Sequence, residues 1–157
     1  MNIFFLDSCP QKAAQYHCDK HVVKMTLETA QLLCTAHRVL DDGLNHHRDL
    51  YKLTHVDHPC SLWVRSSIHH YTWTHDLFYH LAVEYRKRYE RTHLSWNKLG
   101  SFLEDVPVNI EDNGWTNPPQ CMPEHYRKKD TVHAYRLYYK GDKASFAKWK
   151  LQEPIWW

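Results

Sequence analysis

His17, His21, Lys24 and Glu28 recur at intervals of three or four residues, the spacing that brings side chains onto one face of an α-helix. At about 100° per residue, His21, Lys24, Glu28, Gln31 and Thr35 fall within roughly 40° of His17, and Lys20 and Arg38 lie about 60° away on one flank. Val22, Val23, Met25, Leu27, Ala30, Leu32, Leu33, Cys34 and Ala36 occupy almost all the rest of the circumference. A surface helix normally has the opposite proportions, a wide polar face and a narrower apolar stripe. The pattern therefore predicts a helix running through the middle of the fold. Its polar seam must face a cleft or find partners inside, because buried polar groups need hydrogen bonds.

Acid, base and cation alternate along this seam at successive turns. For a carboxyl in such a setting, positive neighbours favour the ionised form and desolvation the neutral one. General acid–base chemistry exploits that competition. The candidate catalytic residues are accordingly Glu28, His21, Lys24 and His17. The plainer alternative is a solvated face carrying a Lys24–Glu28 pair, worth only a few tenths of a kcal/mol.

His17 and His21 also have the i,i+4 spacing of helical zinc sites. The metalloprotease pattern requires Glu directly after the first His, however, and Cys18 stands there. Further ligands would have to come from His55, His58 or Cys60, which cluster before a second helical region. The expectation is no cofactor, with a metal at His17 and His21 as the alternative. His69, His70, His75 and His80 read as polar edges of a helix.

A second source of chemistry lies in the last third. Residues 124–150 hold eight Lys or Arg against three acids, in a chain whose formal charge is +2. Tyr126, Tyr135, Tyr138, Tyr139, Phe146 and Trp149 are interleaved with them. Cations contact phosphates and aromatic rings stack on unpaired bases, so nucleic-acid contacts are expected from Lys20, Arg38, Arg127, Lys128, Lys129, Tyr135, Arg136 and Lys140. The alternative is that the rings complete a core while the lysines solvate its surface.

The elements that must position these groups are mostly helical. Residues 2–6 form an apolar arm, and Ser8 with Gln11 has capping-box spacing around Pro10. A single helix is then expected without interruption to Asp41-Asp42-Gly43, about 30 residues or roughly 45 Å. A polar linker containing His46-His47 follows, with a short helix at 50–53. A second long helical region spans 60–91, with a break at Ser66-Ser67. Helices are also expected at 94–103, 130–139 and 143–150, and the proline-rich stretch 104–124 as loop. The fold class is mostly α: one compact helical domain, 1–157, around a long, largely buried N-terminal helix.

Composition narrows the setting. The chain has 157 residues, 43% of them hydrophobic, enough for one core. No apolar run reaches the roughly 18–20 residues of a membrane span. Five scattered cysteines without a CxxC pair fit reduced thiols and a cytoplasmic location.

His21-Val22-Val23-Lys24-Met25 with Glu28 and Gln31, preceded by the apolar arm and followed by His58-Pro59 and Trp63, resembles the pyrimidine-dimer DNA glycosylases (the endonuclease V-like group) and related phage proteins. Met122-Pro123-Glu124-His125-Tyr126, Ala134-Tyr135-Arg136-Leu137-Tyr138-Tyr139 and Phe146-Ala147-Lys148-Trp149 extend the likeness to the tail. The resemblance implies an all-helical DNA-repair fold. In that group the N-terminal amine attacks the sugar, a Glu on the first helix supports the chemistry, and basic residues hold the DNA. Glu28 is the only glutamate of the first helix here. Asn2 is a poor context for removing Met1, so either Met1 supplies the amine or that mechanism does not operate.

Three functions remain open at this point. One is a base-excision glycosylase, with or without a lyase step, whose partner is DNA. Another is an enzyme acting on a nucleotide or modified base. The third is a non-catalytic nucleic-acid-binding or inhibitor protein.

Overall fold

The computed structural model describes residues 1–41 and 49–157; Asp42, Gly43 and the His46-His47 linker lie outside the described residues. Among the described residues there are six α-helices and no strand. They are α1 (Pro10–Tyr16), α2 (Asp19–Leu40), α3 (Pro59–Arg65), α4 (Ile68–Tyr89), α5 (Leu94–Leu103) and α6 (Thr131–Asp142), with a 3₁₀ turn at Glu124–Tyr126. The mostly α class follows directly. No helix among them is long and apolar enough to cross a membrane.

α2 is the axis, packing against α3, α4 and α5, while α1 packs on α4. Apolar residues on nearly every side of α2 make this possible: Val22, Met25, Ala30, Leu32, Leu33, Cys34 and Ala36 are all buried. The N-terminal arm is extended and its Ile3, Phe4, Phe5 and Leu6 lie within the same core. Full burial of a side chain of this size contributes about 1.5–3 kcal/mol, so the arm is an integral part of the fold.

The expected single N-terminal helix is instead two helices. His17 (ψ 133°) and Cys18 (ψ 162°) are extended, which interrupts the ladder between α1 and α2. No proline or glycine lies at this point. The break persists because groups distant in sequence take up the backbone it frees. Arg88 donates to His17 O (2.7 Å) and Gln15 O (3.0 Å), the Cys18 amide donates to the Tyr139 hydroxyl (3.0 Å), and the Asp19 amide donates to Lys148 O (2.8 Å). A helix interruption is tolerable when its exposed polar groups are paired in this way. The start of α1 also differs. Its N-cap is Cys9, without a side-chain cap, and Asp7 Oδ1 receives the Cys9 amide at 3.0 Å, so Ser8 does not cap.

Two short helices expected from the sequence are absent for a related reason. At 50–53 the Leu50 and Tyr51 carbonyls accept the Arg38 guanidinium (2.8 and 2.6 Å), and neither residue is helical. At 143–150 one turn forms, with the Phe146 and Ala147 amides on Lys143 O, before Lys148 O is taken by α2 and the Trp149 indole donates to Tyr16 O. By contrast the break at Ser66-Ser67, the helix at 94–103 and the loop after it follow local signals. Ser67 caps α4 through the His69 amide and Asp130 caps α6 through the His133 amide. The long loop is held by His70, whose Nδ1 donates to Trp63 O (2.9 Å) and whose Nε2 receives the Thr116 amide (2.9 Å).

Candidate functional site

The helix break separates the predicted stripe into two regions. His17, at the break, is completely buried. Its Nδ1 donates to Ala13 O at 2.7 Å, which fixes the tautomer and leaves the buried Nε2 lone pair without a partner. Burial, and secondarily the nearby Arg88 charge, lowers its pKa to about 4. His21 is enclosed by Phe4 (stacked, ring centroids 4.6 Å apart), Tyr139 and Phe146. The Cys18 amide already donates to the Tyr139 hydroxyl, so the Tyr139 proton is directed onto His21 Nδ1 at 2.8 Å. Burial, then repulsion from His17, Lys143 and Lys24, lowers His21 to about 3. Burial likewise holds the Tyr139 phenol well above its usual range, so the proton stays on oxygen. Of these two neutral imidazoles, His17 bonds back onto α1 and His21 ties the start of α2 to α6.

Further along the seam the setting becomes open. The Lys24 side chain is 65% exposed and lies 3.4 Å from Glu28 Oε1, whose side chain is only 14% exposed. His58 feels both the chain start and Glu28: burial lowers its pKa first, the Met1 ammonium and His55 add to that, and Glu28 opposes it.

The chain start is firmly held. Asn2 Nδ2 donates to Cys121 O (2.9 Å), and its Oδ1 faces the Tyr135 hydroxyl (3.0 Å) and the Cys60 thiol (3.7 Å). Cys60 and Cys121 sulfurs are 3.7 Å apart. Their shared hydrogen bond and burial push the Cys60 thiol far up, while the same bond and the Arg127 charge bring Cys121 down to about 7. His58, Cys121, Gln120 and Arg127 line an open cleft of about 510 Å³ together with Pro59, Pro119 and Met122. Its wall is stiffened by a reciprocal pair, Gln120 Nε2 to Lys128 O (2.6 Å) and the Lys128 amide to Gln120 Oε1 (3.0 Å).

The expected nucleic-acid contacts fall into two groups. Arg127, Lys128 and Lys129 are exposed on and beside the cleft wall, Lys140 is exposed on α6, and Lys20 lies over the Phe146 ring at 5.2 Å. The others serve the fold. Arg38 holds the Leu50–Tyr51 backbone, and Arg136 donates to Leu6 O (2.8 Å) and Asp7 Oδ2 (3.1 Å) between the Tyr16 and Trp156 rings. Tyr135 is completely buried, which leaves no ring face for a base to stack on, and its hydroxyl meets Pro119 O at 2.6 Å. Among the described residues no third His, Cys, Asp or Glu joins His17 and His21 into a metal-ligand group; the one group of three is His58, Cys60 and Cys121.

The sequence pointed to His58 and Cys60 only as candidate further ligands of a metal at His17 and His21, and missed Cys121. A partner 61 positions from Cys60 carries no local spacing signal. Arg88 and Tyr139, which hold the break, were missed for the same reason. No family model matches the chain, and neither a curated protein nor a solved structure does.

Proposed function

We propose that this protein is a DNA-acting base-excision glycosylase in which Met1 supplies the amine and Glu28 the carboxylate. The observation that carries the proposal is His58, which lines a cleft together with Arg127 and feels the charge of both the Met1 ammonium and Glu28. An α-amino group is less basic than a lysine, which favours it where chemistry needs a free amine. Its nitrogen would form a bond to the sugar C1′ as the bond from C1′ to the base breaks. Glu28 would take the proton the amine loses, and the departing base would gain one. Opening of the sugar then leaves an imine, from which a lyase step can follow. Lys24, Lys20, Lys128 and Lys129, all exposed, supply positive charge for phosphates, since such contacts dominate DNA affinity. His17 and His21 contribute by positioning the start of α2. The reduced state of all five cysteines fits a cytoplasmic location.

Incubation with duplexes carrying damaged or modified bases, followed by borohydride, is expected to trap a covalent adduct at Met1. Adding one residue before Met1 should remove the adduct, and Glu28→Gln should slow base release by about 10²–10⁴-fold, the usual contribution of a positioned acid or base. Absence of both cleavage and adduct across the substrate panel would eliminate this form of the proposal. The cleft volume also suits a mononucleotide. For that second reading, affinity for a mononucleotide should change little with salt and duplex binding should be absent, whereas duplex binding weakens steeply as salt rises.

A further inference from the structure

Cys60, at the start of α3, and Cys121, in the long loop, meet with His58 at the cleft. Their sulfurs, at 3.7 Å, are too far apart to be bonded, since a disulfide requires about 2.05 Å. The separation instead matches the edge of a tetrahedral zinc site, because two Zn–S bonds of about 2.3 Å place their sulfurs about 3.8 Å apart. A ring nitrogen of His58 lies within 4.8 Å of both sulfurs. The nitrogen–sulfur edge of the same tetrahedron is about 3.5 Å, a difference that rotation of an imidazole side chain covers.

We propose that His58, Cys60 and Cys121 bind one zinc ion, with the fourth coordination position open to the cleft. The donor set is of the His-plus-two-Cys kind that zinc accepts, and three protein ligands with one open position is the arrangement of catalytic rather than purely structural zinc. Neighbouring groups support the ligands in the way outer partners of metal sites do. Asn2 Nδ2 holds the Cys121 carbonyl at 2.9 Å, and Cys121's own amide meets the Tyr135 hydroxyl at 3.4 Å. Gln120 and Arg127 stand beside the open position on the cleft wall, so an anionic or polar group is what it would admit.

Loading has a definite proton balance. Each thiol that still holds its S–H proton gives it to solvent as its Zn–S bond forms, so up to two protons leave per zinc bound. His58 binds as the neutral imidazole, and its Nδ1 currently accepts the Cys60 amide at 3.1 Å. Ligation through either nitrogen displaces that cap bond, a small loss against zinc–thiolate ligation. The site stands whether or not Met1 is a nucleophile. Its test reads metal rather than reaction.

The full-length chain, purified under reducing conditions and freed of loosely held metal, is titrated with Co²⁺ and then Zn²⁺. The expected result is one ion per chain, a sulfur-to-cobalt charge-transfer band with tetrahedral ligand-field bands that grow in with release of up to two protons as cobalt binds, and loss of both bands as zinc displaces cobalt with no further proton release. Surface histidines could also hold zinc, but only thiolate ligation produces the charge-transfer band. Cys121→Ser should halve that band and weaken binding by more than the 10–100-fold that loss of an outer partner alone costs, with Cys9→Ser unchanged. A folded wild-type chain without the band, an undiminished band in folded Cys121→Ser, or a chain isolated with a Cys60–Cys121 disulfide that blocks cobalt would each overturn the proposal. The wild-type titration decides the matter even if Cys121→Ser fails to fold.

Discussion

Lowering the pH from 6.5 towards 4 should remove several kcal/mol of folding free energy, because His17 and His21 cannot take up protons without leaving their sites. In the unfolded chain both imidazoles protonate near 6.5, whereas in the fold His17 does so only near 4 and His21 near 3. The unfolded state therefore binds more protons throughout that window, and stability falls as pH falls. One pKa unit corresponds to about 1.4 kcal/mol, so His17 alone costs roughly 3 kcal/mol at pH 4 and His21 a similar amount. Together these approach the about 5–15 kcal/mol by which a typical domain is stable. His58, His70, His75, His80 and His93 are also lowered by burial and act in the same direction.

The groups that face the two imidazoles explain why relief is unavailable. Arg88 from α4 lies near His17, while Lys24 from α2 and Lys143 after α6 lie near His21, and all three are cations. Urea midpoints measured between pH 7.5 and 4 check the slope. His17→Leu loses the bond to Ala13 O but also removes an unpartnered buried nitrogen, so it should change stability at pH 7.5 by no more than about 1 kcal/mol. It should then retain roughly 3 kcal/mol more of its stability on acidification than the wild type does. Identical pH slopes for the two proteins would show that His17 does not carry the effect.

Replacing Arg88 by Met should be the most damaging single substitution in the helical framework, costing about 3–5 kcal/mol. The Arg88 side chain is 1% exposed and Glu84, its partner one turn away, 6%. The guanidinium bonds Glu84 Oε2 at 3.0 Å, Asp19 Oδ1 at 3.2 Å, and the carbonyls of Gln15 and His17. Met fills a similar volume but donates nothing, so a buried carboxylate and two carbonyls at the break lose their partner. Lys87, 3.3 Å from Glu84 Oε1, is half-exposed and offsets only part of this. Adding Glu84→Leu to Arg88→Met should recover much of the loss, because the principal cost is the uncompensated charge rather than the missing bond. Denaturant unfolding of the two single variants and the double variant measures the coupling. A cost below about 1 kcal/mol for Arg88→Met would mean that water or Lys87 already satisfies Glu84.

Much of the architecture was legible in the residues because its causes are local. The Ser66-Ser67 boundary, the Asp130 cap and the prolines at 107, 118, 119 and 123 act on their own neighbours, and α3 to α6 with the long loop follow from them. The wide apolar arc of α2 likewise required a central helix, and α2 is central. The seam was legible as polar, but its division was not. Lys24 and Glu28 pair at its open end, whereas His17 and His21 are sealed beneath Phe4 and Tyr139.

By itself, then, the sequence determined an α-helical chain with α2 at its centre and positive charge gathered in the last third. Only the tertiary structure decided where the first helix breaks, because Arg88 is 71 residues from the His17 carbonyl to which it donates. It alone decided that Arg38, Tyr135 and Arg136 serve the fold, since their partners are carbonyls and a carboxylate supplied by other segments. It also brought Cys121 to Cys60. Hydrogen bonds and burial act over a few ångströms irrespective of distance along the chain, and periodicity records only the part of them that lies within one helix.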